Sequence, residues 1–349
     1  MLECQNCHHD VLCRFRILEK YQRFWLDLDQ DVLFSSGVSQ SLRVISERWS
    51  EQIEGNVGLR TINERINRRE PLIRQMQKTV FPTSPTVVQL DGIWVTVQSQ
   101  GEKVKPDRRK RQRKQRTGKK IVILVALGFW ENGTREILDW QIAASEEHTQ
   151  WEGLLKRLWT REVRPEKGLR MIVRDGCGGL EEAVALVYGK SVLDQRCVFH
   201  KLKNVGDKVR SELKGEEKRE KRKQMMKQAK TIYQAPNVLQ AKQHLQEWSE
   251  QWREEAPKAV ATLERDFEQT LVYYELDTVP QEWIRTTSLL ERTNRELRRK
   301  FRQVVTFGSQ IGAQVAVYLQ VQRLHARWTH ASWWQVSHDL IFEMGNINP

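Results

Sequence analysis

Apolar positions along the chain change period twice. Up to about residue 85 they recur at helical spacing. Leu18, Tyr21, Trp25 and Leu28 form one such run, and Val38, Leu42, Ile45 and Trp49 form the next. Ser36 is expected to cap the start of that second helix. A shorter helix follows Gly55 and Gly58, with Leu59, Ile62 and Ile66 on one face and Arg60, Arg65, Arg68 and Arg69 around it. Pro82 and Pro85 close the region, and the period then shortens. VVQLDGIWVTVQ (87–98) is β-branched with polar interruptions and predicts a strand. KIVILVALGFW (120–130) is almost continuously apolar, as in a strand buried on both faces. Gly133 turns the chain into a third strand, TREILDWQIA. HTQWEGLLKRLW (148–159) returns to helical spacing, with Trp151, Leu154, Leu155, Leu158 and Trp159 on one face. GLRMIVRDG (168–176) is a short strand ending in an acid, GGLEEAVALVY a helix, and SVLDQRCVFH (191–200) a fifth strand. From about 201 to 285 the pattern is helical and highly charged, broken at Pro257 and closed by Pro280. Two more helices fill 286–329.

The first three strands read as an antiparallel meander, and the order β-β-β-α-β-α-β is that of a ribonuclease-H-like core. The expected class is therefore α/β. A mixed five-stranded sheet with helices would be joined by an all-α block, an insertion into the core if the family resemblance of its motifs holds, and preceded by a helical DNA-binding region. The boundaries expected are 1–33 for an N-terminal segment, 34–85 for a helix-turn-helix-like region and 86–210 for the first part of the core. The insertion would take 211–285, and helices completing the core would take 286–349. The two short helices near 38–69, with the second one basic, have the helix-turn-helix pattern. Ordinary helical hairpins share it.

Charge sharpens this picture. Lys and Arg number 58 against 45 Asp and Glu, a net charge of +13, which favours a polyanionic partner. Nucleic acid is the first candidate. No apolar run approaches the roughly 18 residues needed to span a bilayer, and no stretch reads as a signal peptide. Five cysteines in 349 residues make no disulfide scaffold and suit a reducing, cytoplasmic setting. The run KVKPDRRKRQRKQRTGKK (103–120) holds eleven Lys or Arg against one Asp. Lying between the first two strands, it is expected to be a loop. Arg108, Arg109, Lys110, Arg111, Arg113, Lys114 and Arg116 would clamp phosphates there, the alternative being a solvated segment.

Three carboxylates stand out by position. Asp91 sits inside an apolar strand, where an acid is costly to bury unless it is paired or holds a metal. Asp175 ends the fourth strand before Gly176. Glu291 heads a helix with five basic residues between Arg295 and Arg302. Asp91 and Asp175 meet at a common spot if strands one and four are neighbours. Three oxygen ligands from distant positions suit Mg²⁺, and a pair of such ions can bracket an in-line displacement at phosphorus. Ordinary readings exist for each: a strand-end acid, a turn acid, and an i,i+4 partner of Arg295. Glu296 competes with Glu291 for the third place.

LDGIWV, VRDGCGGLEEAV, QRCVFHKLKNV and TTSLLERTNRELRRKFR, in that order, resemble the Mutator-like bacterial insertion-sequence transposases. More loosely they resemble the branch of that group with an N-terminal zinc motif. The resemblance covers roughly residues 35–328 and implies a DDE transposase. Asp91, Asp175 and Glu291 would be its metal-binding triad, with Mg²⁺ as cofactor and Mn²⁺ as a substitute. The triad members are separated by 84 and then 116 residues, and the wide second gap agrees with the helical block at 201–285. The resemblance also implies cleavage of element ends and transfer of the freed 3′-hydroxyl to target DNA. The partners would be terminal inverted repeats, target DNA and a second copy of the chain, a homodimer or higher. The location would be bacterial cytoplasm, on the nucleoid when DNA is bound. A nuclease with the same core, or a non-cutting DNA-binding regulator, is the alternative.

Arg295, Arg298 and Arg299 follow the third acid on its helix and would offer DNA a basic surface. Cys197 and His200 match the family's Cys-x-x-His element, for which a structural or supporting role fits better than zinc, since no second pair lies nearby. At the N-terminus Cys4, Cys7 and Cys13 with His8 and His9 supply enough ligands for one tetrahedral Zn²⁺. The alternative is a broken remnant of such a site.

Overall fold

A computed structural model describes residues 2–3, 10–11, 28–106, 112–303 and 309–345, with backbone alone at 2–3, 10–11, 97–106, 112–117, 299–303 and 342–345. Two compact units emerge. One gathers residues 1–72 and 318–349, and the other spans 73–317.

The first unit contains α1 (Leu28–Gly37), α2 (Leu42–Gln52), α3 (Leu59–Asn67) and the start of α4 (Glu70–Met76). A two-residue antiparallel bridge, Leu2–Glu3 with Asp10–Val11, precedes them. The cap of α2 is Ser41, whose side chain accepts from the Val44 N–H, and not Ser36. Ser36 is buried inside α1, because the chain continues helically to Gly37 before Ser39 turns it with φ of 74°. Asp29 and Asp31 of α1 tie down the other two helices. Asp31 accepts from the Trp49 indole at 2.6 Å and pairs with Arg48, and Asp29 pairs with Arg65.

The second unit is built on a five-stranded sheet. Its strands are β1 (Val87–Pro106), β2 (Gln112–Phe129), β3 (Arg135–Ala143), β4 (Met171–Arg174) and β5 (Leu193–Arg196). The spatial order is β3-β2-β1-β4-β5. The first three pair antiparallel, while β4 and β5 join parallel to β1 and to each other. This is the mixed sheet expected of a ribonuclease-H-like core. From Ile121 to Leu127 every residue of β2 is buried, as its unbroken apolar run requires.

Alternation on β1 divides the sheet into two chemically different faces. Val88 and Leu90 join the core against α5 (His148–Thr160) and α6 (Gly178–Tyr188), through Trp151, Leu154, Leu155, Leu180 and Val184. Gln89 and Asp91 point to the opposite face. Not every acid in the sheet is free to act there. Asp139 of β3 is fully buried, but it accepts from Arg157 at 2.9 Å and Gln77 at 2.8 Å, so it is a paired structural acid.

Two expectations about strand ends change. The basic run 103–120 is no simple loop. Residues Gln98–Gln100 and Val104–Pro106 of β1 pair with Gly118–Arg116 and Lys114–Gln112 of β2, with a register shift between Gln100 and Val104. Only residues 87–89 of β1 pair with β4, and only 122–129 of β2 pair with β3. The outer parts therefore form a two-stranded ribbon. Ladder hydrogen bonds satisfy the backbone of such a stretch without any apolar face. Arg108, Arg109, Lys110 and Arg111 lie outside the described residues. The fifth strand also stops early, at Arg196, and Cys197 starts α7 (Val198–Glu212).

The stretch 198–264 is mainly helical, with α7, α8 (Arg219–Ile232), α9 (Val238–Trp252) and α10 (Pro257–Glu264). Trp248 and Trp252 are buried in it, their indoles donating to Met225 O and Gln228 Oε1. The chain returns through α11 (Gln281–Ile284) to α12 (Ser288–Gln303). Beyond it come α13 (Gln310–Trp328) and α14 (Trp333–Gly345).

Candidate active site

Three chain-distant segments of the second unit bring the predicted acids to one locality. Asp91 sits on β1 opposite Val125 of β2, and only 9% of it is exposed. Asp175 is the first residue past β4, where its carboxylate accepts from the Cys177 N–H at 2.9 Å. Glu291 lies in the first turn of α12, with Thr287 Oγ1 within 3.4 Å. His200 stands among them. Its Nε2 is 3.8 Å from Glu291 Oε1, and its charge interacts with both Asp91 and Asp175.

Burial pushes the Asp91 carboxyl up to about 6, and neighbouring Asp175 pushes the same way. His200 and a hydrogen bond from Asn294 oppose them. Burial works against a charged His200 ring, yet Cys197, Asp91 and Asp175 outweigh it and raise the imidazole to about 9. A fourth acid, Glu146, was not singled out from sequence. Burial raises its pKa, Asp175 and Asp91 add to that, and hydrogen bonding by the Trp94 indole opposes them. Glu146 lies over Gly92, where a Cβ would come within 2.4 Å of Oε1. Its segment meets the start of α6 at Gly179, whose absent Cβ would stand 2.7 Å from Glu146 O.

Asn294 is fully buried on α12, one turn after Glu291, and its Nδ2 donates to Asp91 Oδ2 at 2.6 Å. Its Oδ1 is buried with no hydrogen-bond partner. Cys197 is also buried. Its sulfur accepts from the Thr287 N–H at 3.3 Å and meets Thr287 Oγ1 at the same distance. Cys197 thus anchors the entry to α12 and also acts on His200, which faces the acids.

Among the described residues no group of three or more His, Cys, Asp or Glu stands close enough together to hold a metal ion. The donor chemistry nevertheless suits a hard cation. Asp175 raises the cost of ionising Asp91, and Asp175 and Asp91 raise that of Glu146, an excess of negative charge that a divalent ion would offset.

The sequence family described as "Transposase, Mutator family" matches residues 14–331. The chain belongs to this family. The transposase for insertion sequence element IS905 of Lactococcus lactis is 30% identical over 55% of this chain and 46% of its own length. That for IS406 of Burkholderia multivorans is 32% identical over 53% and 45% respectively. That for IS256 in transposon Tn4001 of Staphylococcus aureus is 22% identical over 90% and 75%. The matches to the first two span about half the length of those relatives. Among solved structures, the Drosophila P element transposase strand transfer complex matches with a TM-score of 0.32 at 10% identity, over 88% of this chain and 81% of that one.

On this Mutator-family chain, Arg295 is exposed on α12, Arg298 is half-buried, and Arg299 belongs to the same helix. Arg113, Lys114 and Arg116 lie on the β2 arm of the ribbon. Cys4, Cys7, His8 and Cys13 lie outside the described residues. No helix among the described residues is long and apolar enough to cross a membrane. Asn294, Thr287 and Glu146 complete the locality. Asn294 lies in a quoted motif, but nothing in sequence pairs it with Asp91. Glu146 sits in a polar turn, SEEH, with no signal at all.

Proposed function

We propose that this chain is a DNA transposase of an insertion sequence, with Asp91, Asp175 and Glu291 as its reactive acids. The observation that carries the reading is the convergence of these acids and His200 from β1, the end of β4, α12 and α7, within a chain of the Mutator transposase family. The three carboxylates would hold Mg²⁺ or Mn²⁺. A divalent ion there supplies charge neutralisation at the scissile phosphate and lowers the pKa of the attacking hydroxyl. The chain's own groups do the rest. Asn294 holds one oxygen of Asp91 in a fixed direction. His200 places positive charge beside Glu291 and moderates the repulsion among the acids. Arg292 and Arg295 on the exposed side of α12, together with the basic ribbon, attract the phosphates flanking the reacting one. Element ends, target DNA and a second copy of the chain are the partners.

The test incubates purified protein with DNA flanking its own gene and a target plasmid, with Mg²⁺ or Mn²⁺, beside Asp175→Asn. Joined products that vanish in the variant support transposition. Cleavage without joining points to a nuclease. DNA binding with no metal-dependent product from either protein would reject the catalytic reading in favour of a regulator.

A further inference from the structure

α12 enters the site only partly capped by its own sequence: Thr286 Oγ1 accepts from the Ser288 N–H at 3.3 Å, but the rest of the first turn looks elsewhere. The residue before the helix is Thr287, and a threonine there ordinarily accepts from an N–H in the first turn. Its hydroxyl is engaged elsewhere, with Cys197 Sγ at 3.3 Å and Glu291 Oε1 at 3.4 Å. The first-turn N–H of Leu290 donates instead to Gln89 Oε1 on β1, at 3.0 Å. The Gln89 amide nitrogen donates to two carbonyls just before the helix, Trp283 O at 2.6 Å and Thr286 O at 3.1 Å. Gln89 is fully buried, so both ends of its amide are committed to one segment 194 to 201 residues away.

The spacing of these bonds is informative. Gln89 and Asp91 share a face of β1, two residues apart, which is about 6.8 Å of strand. Their partners Leu290 and Asn294 are four residues apart on α12, about 6 Å of helix. Helix and strand therefore run side by side in matched register. Gln89 grips the helix backbone at one point, and Asp91 meets Asn294 at the next. Glu291 lies between those two contacts.

We propose that Gln89 is a positioning residue for the reaction. It sets the axial register of α12 on β1, so that Glu291 and Asn294 stand opposite Asp91 whatever the helical insertion between Asp175 and Glu291 is doing. The inference rests on reading Asp91, Asp175 and Glu291 as the metal-binding acids. Without the amide, α12 keeps its apolar anchors Leu290 and Leu297, both fully buried, but loses its backbone registration. The consequence is a loosened third ligand, and not an unfolded chain.

The test uses the full-length protein with Gln89→Leu, close in volume and unable to bond, and Gln89→Glu, which keeps the acceptor for Leu290. Mn²⁺ binding is titrated directly by electron paramagnetic resonance, alongside DNA affinity, thermal melting and the Mg²⁺ dependence of cleavage. Expected for Gln89→Leu are a folded protein, DNA affinity within about twofold, Mn²⁺ binding weakened at least tenfold, and cleavage partly restored by raised metal. Gln89→Glu should fall between it and the parent. Unchanged Mn²⁺ affinity in a folded Gln89→Leu protein overturns the proposal. So does a loss of cleavage that raised metal does not relieve, or a failure of both variants to fold, which would give the residue to the fold alone. Glu291→Gln and Asp175→Asn are the controls for the underlying reading. If they too leave Mn²⁺ binding untouched, the assignment of the acids fails, and not the clamp alone.

Discussion

Replacing Asp91 by asparagine should make the metal-free protein more stable at neutral pH. Burial is the main cause that lifts this carboxyl from 3.8 to about 6, with Asp175 adding to it. At 1.36 kcal/mol per pH unit, keeping Asp91 ionised in the folded protein at pH 7.5 costs about 3 kcal/mol relative to an exposed aspartate. The sign follows from linkage. The folded value lies above the unfolded one, so protonated Asp91 contributes stability that is fully present below 3.8. That contribution is lost as pH rises through about 6. The asparagine variant has no proton to lose and can still accept from Asn294 Nδ2. It also deprives His200 of one of the anions that hold it protonated, which returns part of the gain. The net expectation is about 1–3 kcal/mol at pH 7.5, shrinking towards zero near pH 4. Urea unfolding in chelator across pH 4–8 reads the difference directly. Added Mg²⁺ should stabilise the parent and leave the variant behind. A variant no more stable than the parent at pH 7.5, or a difference that does not narrow towards acid pH, would refute the picture of a strained acid waiting for a cation.

Gly179→Ala should destabilise the protein by about 1–3 kcal/mol, because its Cβ would meet Glu146 O at 2.7 Å and His148 N at 2.8 Å, both of them backbone. Gly178→Ala, with nothing within 4 Å, should be nearly neutral, and equal melting points for the two would contradict the packing described. Arg174 is fully buried and bonds both oxygens of Asp194, at 2.7 and 2.8 Å. Arg174→Met should cost about 2–4 kcal/mol, at or below the usual range for breaking a buried pair because Asp194 is partly hydrated. A double-mutant cycle with Asp194→Asn that shows no coupling would count against this. Neutralising Arg113, Lys114, Arg116 and Lys119 on the ribbon should flatten the slope of log DNA affinity against log salt by up to about 3–4. An unchanged slope would remove the ribbon from the DNA interface.

The sheet was largely legible because β1, β2 and β4 carry β-branched or apolar runs bounded by turn residues. The continuous run in β2 demanded burial on both faces, and the crossover helices α5 and α6 carried one-sided stripes. Strand ends were less legible. Ser36 and Ser41 are both plausible caps, and only the packing of α1 decides between them. The basic stretch has no apolar alternation, so its pairing rests on backbone hydrogen bonds, to which side-chain pattern is blind.

The site shows the same division at finer grain. Two strands each place an aspartate after a leucine, QLDGIW in β1 and EILDWQ in β3. Local sequence does not separate them, yet Asp139 is neutralised by Arg157 while Asp91 meets a second acid and an amide. The acid alone was singled out from the sequence, yet the strand carries a polar pair, Gln89 and Asp91, with only apolar Leu90 between them. A buried amide must find partners for both its donors and its acceptor. A strand face that carries an amide and an acid therefore predicts that some polar-bearing element docks on it. Pattern can go that far. It cannot say that the element is α12, because the contacts join residues about 200 apart and leave no periodicity in between. The register of that docking, about four helical residues against two of strand, belongs to the folded chain alone. It is also the property that Gln89→Leu would disturb.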